Sequence, residues 1–329
     1  MDKVDVLEEV RKAIAATSIV EKEVIQQLWS GYGTLFRCDV SGKEFNSVIV
    51  KHIKLPAMNQ HPRGWNTSIS HERKVKSYQV EIAWYQNYVK EEDQMCRTPN
   101  CLAVLDCEGE QVIVMEDLDG AGYPLRKHSL SMDEIYITLR WLAYFHAKHM
   151  GMEPHKLWDI GTYWHLATRP EELEVLSDKA LKDAAPGIDR ILNNAKYKTL
   201  VHGDAKVANF CYSANGEEVA GVDFQYIGGG CGMKDVAYFI SSCLYEEECA
   251  QFEEKLLEVY FDYLKKALDY YHSDLSFEEI EEEWRFLYSF AWTDFYRFLQ
   301  GWSPDHWKIN GYNRKISRKV IHYLKKNQQ

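Results

Sequence analysis

Residues 200–210 read LVHGDAKVANF and residues 219–230 read VAGVDFQYIGGG. Short apolar runs frame His202, Asp204, Asn209 and Asp223, with five positions from Asp204 to Asn209 and fourteen more to Asp223. That order suits phosphoryl transfer. A carboxylate must orient the attacking hydroxyl and take its proton, while an amide oxygen and a second carboxylate hold Mg²⁺ against nucleotide phosphates. Asp204 fits the base, and Asn209 and Asp223 fit the metal ligands.

The protein-kinase catalytic loop has the form HxDxxxxN, followed by a strand and an Asp-Phe pair. HGDAKVAN and VDFQ supply each element, with two departures: Gly203 replaces the loop arginine, and Gln225 stands where the glycine of DFG would be. The upstream parts can be tested independently. Such an enzyme needs a strand-borne cation for the α- and β-phosphates and a helix-borne acid to aim it. Lys51 in VIVKHI and Glu81 in YQVEIAWY fit those roles. Before them SGYGTLF offers Gly31 and Gly33 where a bare backbone can approach phosphate, although Phe36 occupies the place of a third glycine. Each piece alone is weak; their order along one chain is the signal.

Working outward, the stretches VIQQLWSGYGTLFRCDV and NSVIVKHIK read as antiparallel strands joined by turns. Val75, Tyr78, Ile82, Tyr85 and Val89 recur at helical spacing, and LAVLDCEGEQVIVMEDL returns to strand and turn. From about residue 130, and again after residue 247, long helical periodicity dominates, interrupted by the strand-like segment around residues 200 to 230. The expected fold is α+β and protein-kinase-like, in two lobes. Residues 1–118 form a small antiparallel-sheet lobe with one inserted helix that binds nucleotide, and residues 119–329 a larger, mainly helical lobe with the catalytic loop and acceptor site. The glycine run at 228–232 follows the metal-binding Asp without a P-loop context and reads as a flexible connection.

Composition removes other classes. A net charge of −11 over 329 residues argues against a phosphate-backbone binder, so no nucleic-acid partner is expected. No apolar run approaches the roughly 20 residues that span a bilayer. The charged, periodic start MDKVDVLEEVRKAIAA is not signal-like, and the chain reads as cytoplasmic, without membrane or obligate protein partner. Eight scattered cysteines without a CxxC pair suit reduced thiols, and no structural metal is expected. His146 and His149 read as satisfied helix histidines, since further ligands are not evident.

The HGDxxxxN form, with glycine after the histidine, resembles the aminoglycoside phosphotransferase and choline kinase superfamily. VMEDLDGAGY, WLAYFHAKH, GTYWHL, VDFQYIGGGCGMKDVAYFI and WTDFYRFLQGW are most similar to its ecdysteroid kinase-like branch, over residues of about 24 to 310. The resemblance implies a kinase that uses ATP and Mg²⁺, with Asp204 as base, Asn209 and Asp223 on the metal, and Lys51 paired with Glu81 on the phosphates. It also implies that MEDL is the adenine hinge, through the carbonyl of Glu116 and the amide of Leu118, and that Asp235 steadies the catalytic loop. Lys206 matches a position where protein kinases carry a lysine near the transferred phosphate. His202 reads as a scaffold residue bonded to loop backbone rather than as direct chemistry.

Asp235 lies only twelve positions after Asp223, and no APE element follows, so a protein-substrate platform is not expected. The acceptor is then a small hydroxyl compound. Ten aromatics between Trp284 and Trp307, with Asp294 and Asp305 among them, are candidates for its site, Trp292, Asp294, Tyr296 and Trp302 foremost. Aromatic faces with a carboxylate suit a quaternary ammonium, the same faces suit a flat sterol-like alcohol, and helix packing competes with both. A catalytically inactive nucleotide-binding or interaction module of the same fold is the alternative reading. A hydrolase using Asp204 and His202 lacks a nucleophile motif.

Overall fold

The structure, a computed structural model, describes residues 3–28, 31–54, 68–89, 93–272 and 274–327. Trp29 and Ser30 of the glycine turn, and residues 90–92 at the end of the first helical stretch, lie outside the described residues. The chain divides into two compact units, Met1–Arg126 with Cys211–Val222, and Lys127–Phe210 with Asp223–Gln329. The first therefore includes residues 119–126 and a later excursion of the chain that a single cut after residue 118 does not capture.

The first unit is built on a five-stranded antiparallel sheet in the order β1-β2-β3-β5-β4, with β1 Ser18–Gln27, β2 Gly33–Ser41, β3 Ser47–Ile53, β4 Cys101–Cys107 and β5 Glu110–Glu116. Helix α1, Lys3–Ala13, covers one face. Val6 and Val10 on α1, and Ile14 just beyond it, recur every four residues and so share one side, where they pack on Phe36, Val48, Val50, Val112 and Val114. Because side chains alternate along a strand, turning Val48 and Val50 toward α1 turns Lys51 to the opposite face. There it meets α2, Ser68–Asn87, inserted between β3 and β4.

Residues 119–126 join this unit through pairing. β6, Leu125–Arg126, lies antiparallel to β8, Phe210–Tyr212, with β9, Val219–Gly221, on the other side of β8. Leu118, Tyr123, Cys211 and Ala220 bury one small apolar cluster beneath this sheet.

The second unit is helical: α3 Met132–Lys148, α4 Pro170–Glu174, α5 Lys179–Asn193, α6 Met233–Cys243, α7 Glu246–Tyr271, α8 Phe277–Trp302 and α9 Gly311–Lys326. α3 starts at a capping box, in which Ser131 and Glu134 satisfy each other's backbone amides. α3 packs against α7, and α8 runs through the middle with α4, α5, α6 and α9 against it. Fourteen of the 26 residues of α8 are buried, among them Trp284, Trp292, Phe295 and Phe298. Among the described residues no helix is long and apolar enough to cross a membrane. All eight cysteines are free thiols.

The glycine run is not a slack connection. Gly228–Gly230 form β10, paired antiparallel with β7, Thr199–Val201, which leads into the loop that holds Asp204. The glycines answer a close backbone approach from the other side. A Cβ on Gly228 would lie 2.2 Å from the carbonyl oxygen of Trp158, and one on Gly229 2.7 Å from that of Asp159. Composition alone reads such a run as flexibility; here it is the thinness of glycine that the packing uses. Gly228→Ala is expected to destabilise the protein by about 2 kcal/mol, since overpacking costs roughly 1–3 kcal/mol. A calorimetric melt that matches wild type would contradict that packing.

Candidate active site

The second unit carries Asp204. β7 ends at Val201, and the chain turns through His202 and Gly203 into Asp204. Gly203 has φ +80°, and a Cβ there would sit 2.0 Å from the carbonyl oxygen of Tyr226, which is why no side chain follows the histidine. One carboxylate holds this turn. Asp235, in the first turn of α6 and fully buried, accepts the backbone N–H of His202 at 2.5 Å on Oδ2 and that of Gly203 at 2.9 Å on Oδ1. His146 on α3 donates from Nε2 to the same Oδ2 at 3.1 Å, while its Nδ1 lies 2.8 Å from the Tyr260 hydroxyl on α7. Both nitrogens are thus engaged, and the Nδ1 of His149 lies 2.8 Å from the Phe145 carbonyl.

Two further groups on α6 face the loop. Tyr238 donates from its hydroxyl to Asp204 Oδ1 at 3.2 Å, and Ser242 Oγ accepts the N–H of Val207 at 3.2 Å. Asp235, Tyr238 and Ser242 stand at i, i+3 and i+7, one face of a helix. Behind Tyr238, the Tyr163 hydroxyl donates to the Tyr238 hydroxyl at 3.3 Å. Burial pushes both phenols above their ordinary pKa, so both remain donors at neutral pH. Sequence reading did not single out Tyr163, Tyr238 or Ser242, although the helical spacing from Asp235 could have indicated the last two.

Asp204 is buried, and its Oδ2 accepts Lys206 Nζ at 2.8 Å and Asn209 Nδ2 at 3.0 Å. Burial raises its carboxyl pKa; Lys206 opposes this and Asp223 adds to it. Asn209 ends a 3-10 turn over Val207–Asn209, and its Nδ2 also reaches the Asp204 carbonyl at 2.8 Å. Spending the amide nitrogen on Asp204 leaves the amide oxygen as the donor atom available to a cation. Asp223 has φ +68°, a left-handed conformation that a non-glycine residue holds only at a cost of order 1–3 kcal/mol. Its Oδ1 accepts Gln225 Nε2 at 2.9 Å, which gives the residue in the glycine position of DFG a role in orienting that carboxylate. A hard amide oxygen and a hard carboxylate are a donor set that suits Mg²⁺. His202 is buried among Trp141, Phe210 and Phe224, and its Nδ1 accepts the N–H of Asp204 at 3.3 Å.

The first unit carries the other group. Lys51 Nζ lies 2.8 and 2.6 Å from the two carboxylate oxygens of Glu81, with 5% and 2% of the two residues exposed. Tyr78, one turn before Glu81 on α2, puts its ring 5.8 Å from the same ammonium. Gly33 begins β2 opposite Ile53, and a Cβ there would fall 1.9 Å from the His52 carbonyl, so the sheet itself demands this glycine. Gly31, at φ +75°, has open space on its Cβ side, and Tyr32 between them is anchored to His71 of α2 at 2.6 Å. At the end of β5 the Glu116 carboxylate is taken by Arg97, twice at 2.6 Å, and by the N–H of Asn100 at 3.0 Å. Its backbone N–H donates to the Asn100 carbonyl at 2.9 Å. The Leu118 carbonyl accepts from Tyr123 at 2.8 Å, while its amide N–H has no partner among the described residues.

The four aromatic-stretch residues point to different neighbours. Trp292 is buried, with Nε1 donating to Asn313 of α9. Asp294 is buried beneath Arg297, which reaches its Oδ1 at 3.1 and 2.9 Å and donates to the Trp164 carbonyl at 2.9 Å. Tyr296 accepts from Gln300 at 2.7 Å, and the half-exposed Trp302 stacks on Phe298 at 5.8 Å. For Trp292 and Asp294 the contacts are those of helix packing.

The sequence matches the ecdysteroid kinase-like family over residues 34–158 and 159–273, more than two thirds of the chain, and the protein belongs to that family. Its fold is that of protein-kinase-like small-molecule kinases. A microcompartment-associated aminopropanol kinase matches with TM-score 0.50 at 14% identity, over 98% of this chain and 98% of that one. The amicoumacin kinase hAmiN, in complex with AMP-PNP, Ca²⁺ and Ami, matches with TM-score 0.50 at 12% identity, over 99% and 94%. No curated protein sequence matches.

Asp235→Asn places an N–H₂ against a backbone N–H and should cost about 3 kcal/mol, the upper range for a buried donor left unsatisfied. Chemical denaturation measures it, and unchanged stability would show that the turn is held by something else.

Proposed function

We propose that this protein is an ATP-dependent kinase that phosphorylates a hydroxyl group of a small molecule. The observation that carries the reading is Asp204: a buried carboxylate, fixed by Lys206, Asn209 and Tyr238, in a loop whose backbone is clamped by Asp235. Oδ2 has two donors and Oδ1 only the longer bond from Tyr238, so Oδ1 is the oxygen better placed to accept a proton from an incoming hydroxyl.

Asn209 and Asp223 would hold Mg²⁺, which when bound neutralises charge on the phosphates of ATP. Glu81 holds Lys51 extended as a point charge for phosphate oxygens, and Leu118 offers its unpaired amide to adenine. Lys206, on Asp204 Oδ2, adds positive charge beside the base, where the transferred phosphate would pass. The short segment from Asp223 to Asp235, with β10 inside it, supports a small acceptor over a protein one.

The test compares wild type with Asp204→Asn. Mg²⁺-ATP should raise the melting temperature of both. ADP release over a panel of amino alcohols, aminoglycosides and hydroxylated sterols should appear in wild type and fall by roughly 10²–10⁴-fold in the variant. Undiminished turnover in Asp204→Asn would remove it as base, and Mg²⁺-ATP binding without turnover on any acceptor would favour an inactive binding module. Asp223→Ala should lose the Mg²⁺-dependent part of the melting shift.

A further inference from the structure

The segment between α8 and α9 places a lysine against Tyr238, the residue whose hydroxyl donates to Asp204. Lys308 Nζ lies over three rings, 5.3 Å from the centroid of Tyr238, 5.5 Å from Phe295 and 5.6 Å from Trp307. Among the described residues no carboxylate forms an ion pair with it. Tyr238 belongs to this cage and also donates to Asp204, so the cage and the base share a wall. Aromatic faces grouped in this way are what proteins use to hold ammonium ligands. In this protein the ammonium is its own.

The surroundings fit that arrangement. Burial lowers Lys308 to a pKa of about 8, against Cys243, Asp204 and Cys249, which favour its charge, and with Lys206, which opposes it. His306, two residues earlier, is lowered by burial and by Lys308 itself. With Lys206 already on Asp204, a second cation next to Lys308 would meet two like charges. The aromatic stretch offers no carboxylate in compensation at Asp294, which is committed to Arg297.

We propose that Lys308 sets acceptor specificity: its ammonium occupies the aromatic subsite beside Asp204, turns away positively charged acceptors and donates to an oxygen of an uncharged or anionic one. The proposal rests on the kinase reading for the word acceptor, and its test does not.

Binding without nucleotide separates the two. Choline and 3,3-dimethylbutan-1-ol share shape and differ in charge, and calorimetry can follow both with wild type, Lys308→Met and Lys308→Gln. Removing the charge in Lys308→Met should tighten choline binding at least tenfold over wild type while moving the neutral alcohol less than threefold. Adding Trp307→Ala should remove that gain. Choline binding that is equal in wild type and Lys308→Met, or absent from both, overturns the proposal, as does a wild type that holds choline as tightly as its neutral counterpart. Should Lys308→Met fail to fold, Lys308→Gln carries the same comparison. A gain in choline binding alongside a chain that releases no ADP would leave the subsite standing and remove only the kinase reading.

Discussion

One carboxylate is the constraint on which the loop from His202 to Asn209 depends. Among the described residues Asp235 is buried without a Lys or Arg side chain in contact, and backbone donors with a histidine N–H satisfy its oxygens instead. A buried charge is tolerable only when hydrogen bonds replace its water. Those bonds are the ones that fix the turn before Asp204. Solvating the carboxylate and shaping the loop are therefore a single requirement. Tyr238 and Ser242 extend it, so one face of α6 sets the backbone at His202 and Gly203, the carboxylate of Asp204 and the start of the turn that ends at Asn209.

The first unit meets its own demand differently. Lys51 and Glu81 are desolvated together, an arrangement that adds little net stability but makes loss of either partner costly, typically 3–5 kcal/mol. Its value is positional. The sheet alternation that sends Val48 and Val50 into the α1 core leaves Lys51 no other face, and α2 supplies the acid. Each unit thus derives its polar geometry from its own apolar packing.

The sequence made legible what rests on short-range chemistry. Asp204, Asn209 and Asp223 stand out because their spacing is set within one stretch of chain, and Lys51 and Glu81 because a strand and a helix announce themselves by periodicity. Three things were hidden, each because a distant neighbour decides it. The glycines of β10 read as slack until the segment 154–161 is seen pressing on them. Tyr238 and Tyr163 look like core aromatics until their hydroxyls are traced to Asp204. Asp294 looks like a ligand for a cation until Arg297 is found above it. Periodicity marks a residue as inward-facing without saying what it faces.

The β6-β8-β9 sheet has a consequence for the chain as a whole. The polypeptide leaves the first unit after Arg126, returns at Cys211 and leaves again after Val222. Asp204 lies just before the return, and Asp223 just after the second departure. No single cleavage point would release either unit intact, for the amino-terminal piece would lack the hairpin that buries Leu118 and Tyr123. The two halves of this protein are therefore interlaced in sequence, and no cut of the reading frame at one point would encode either of them whole.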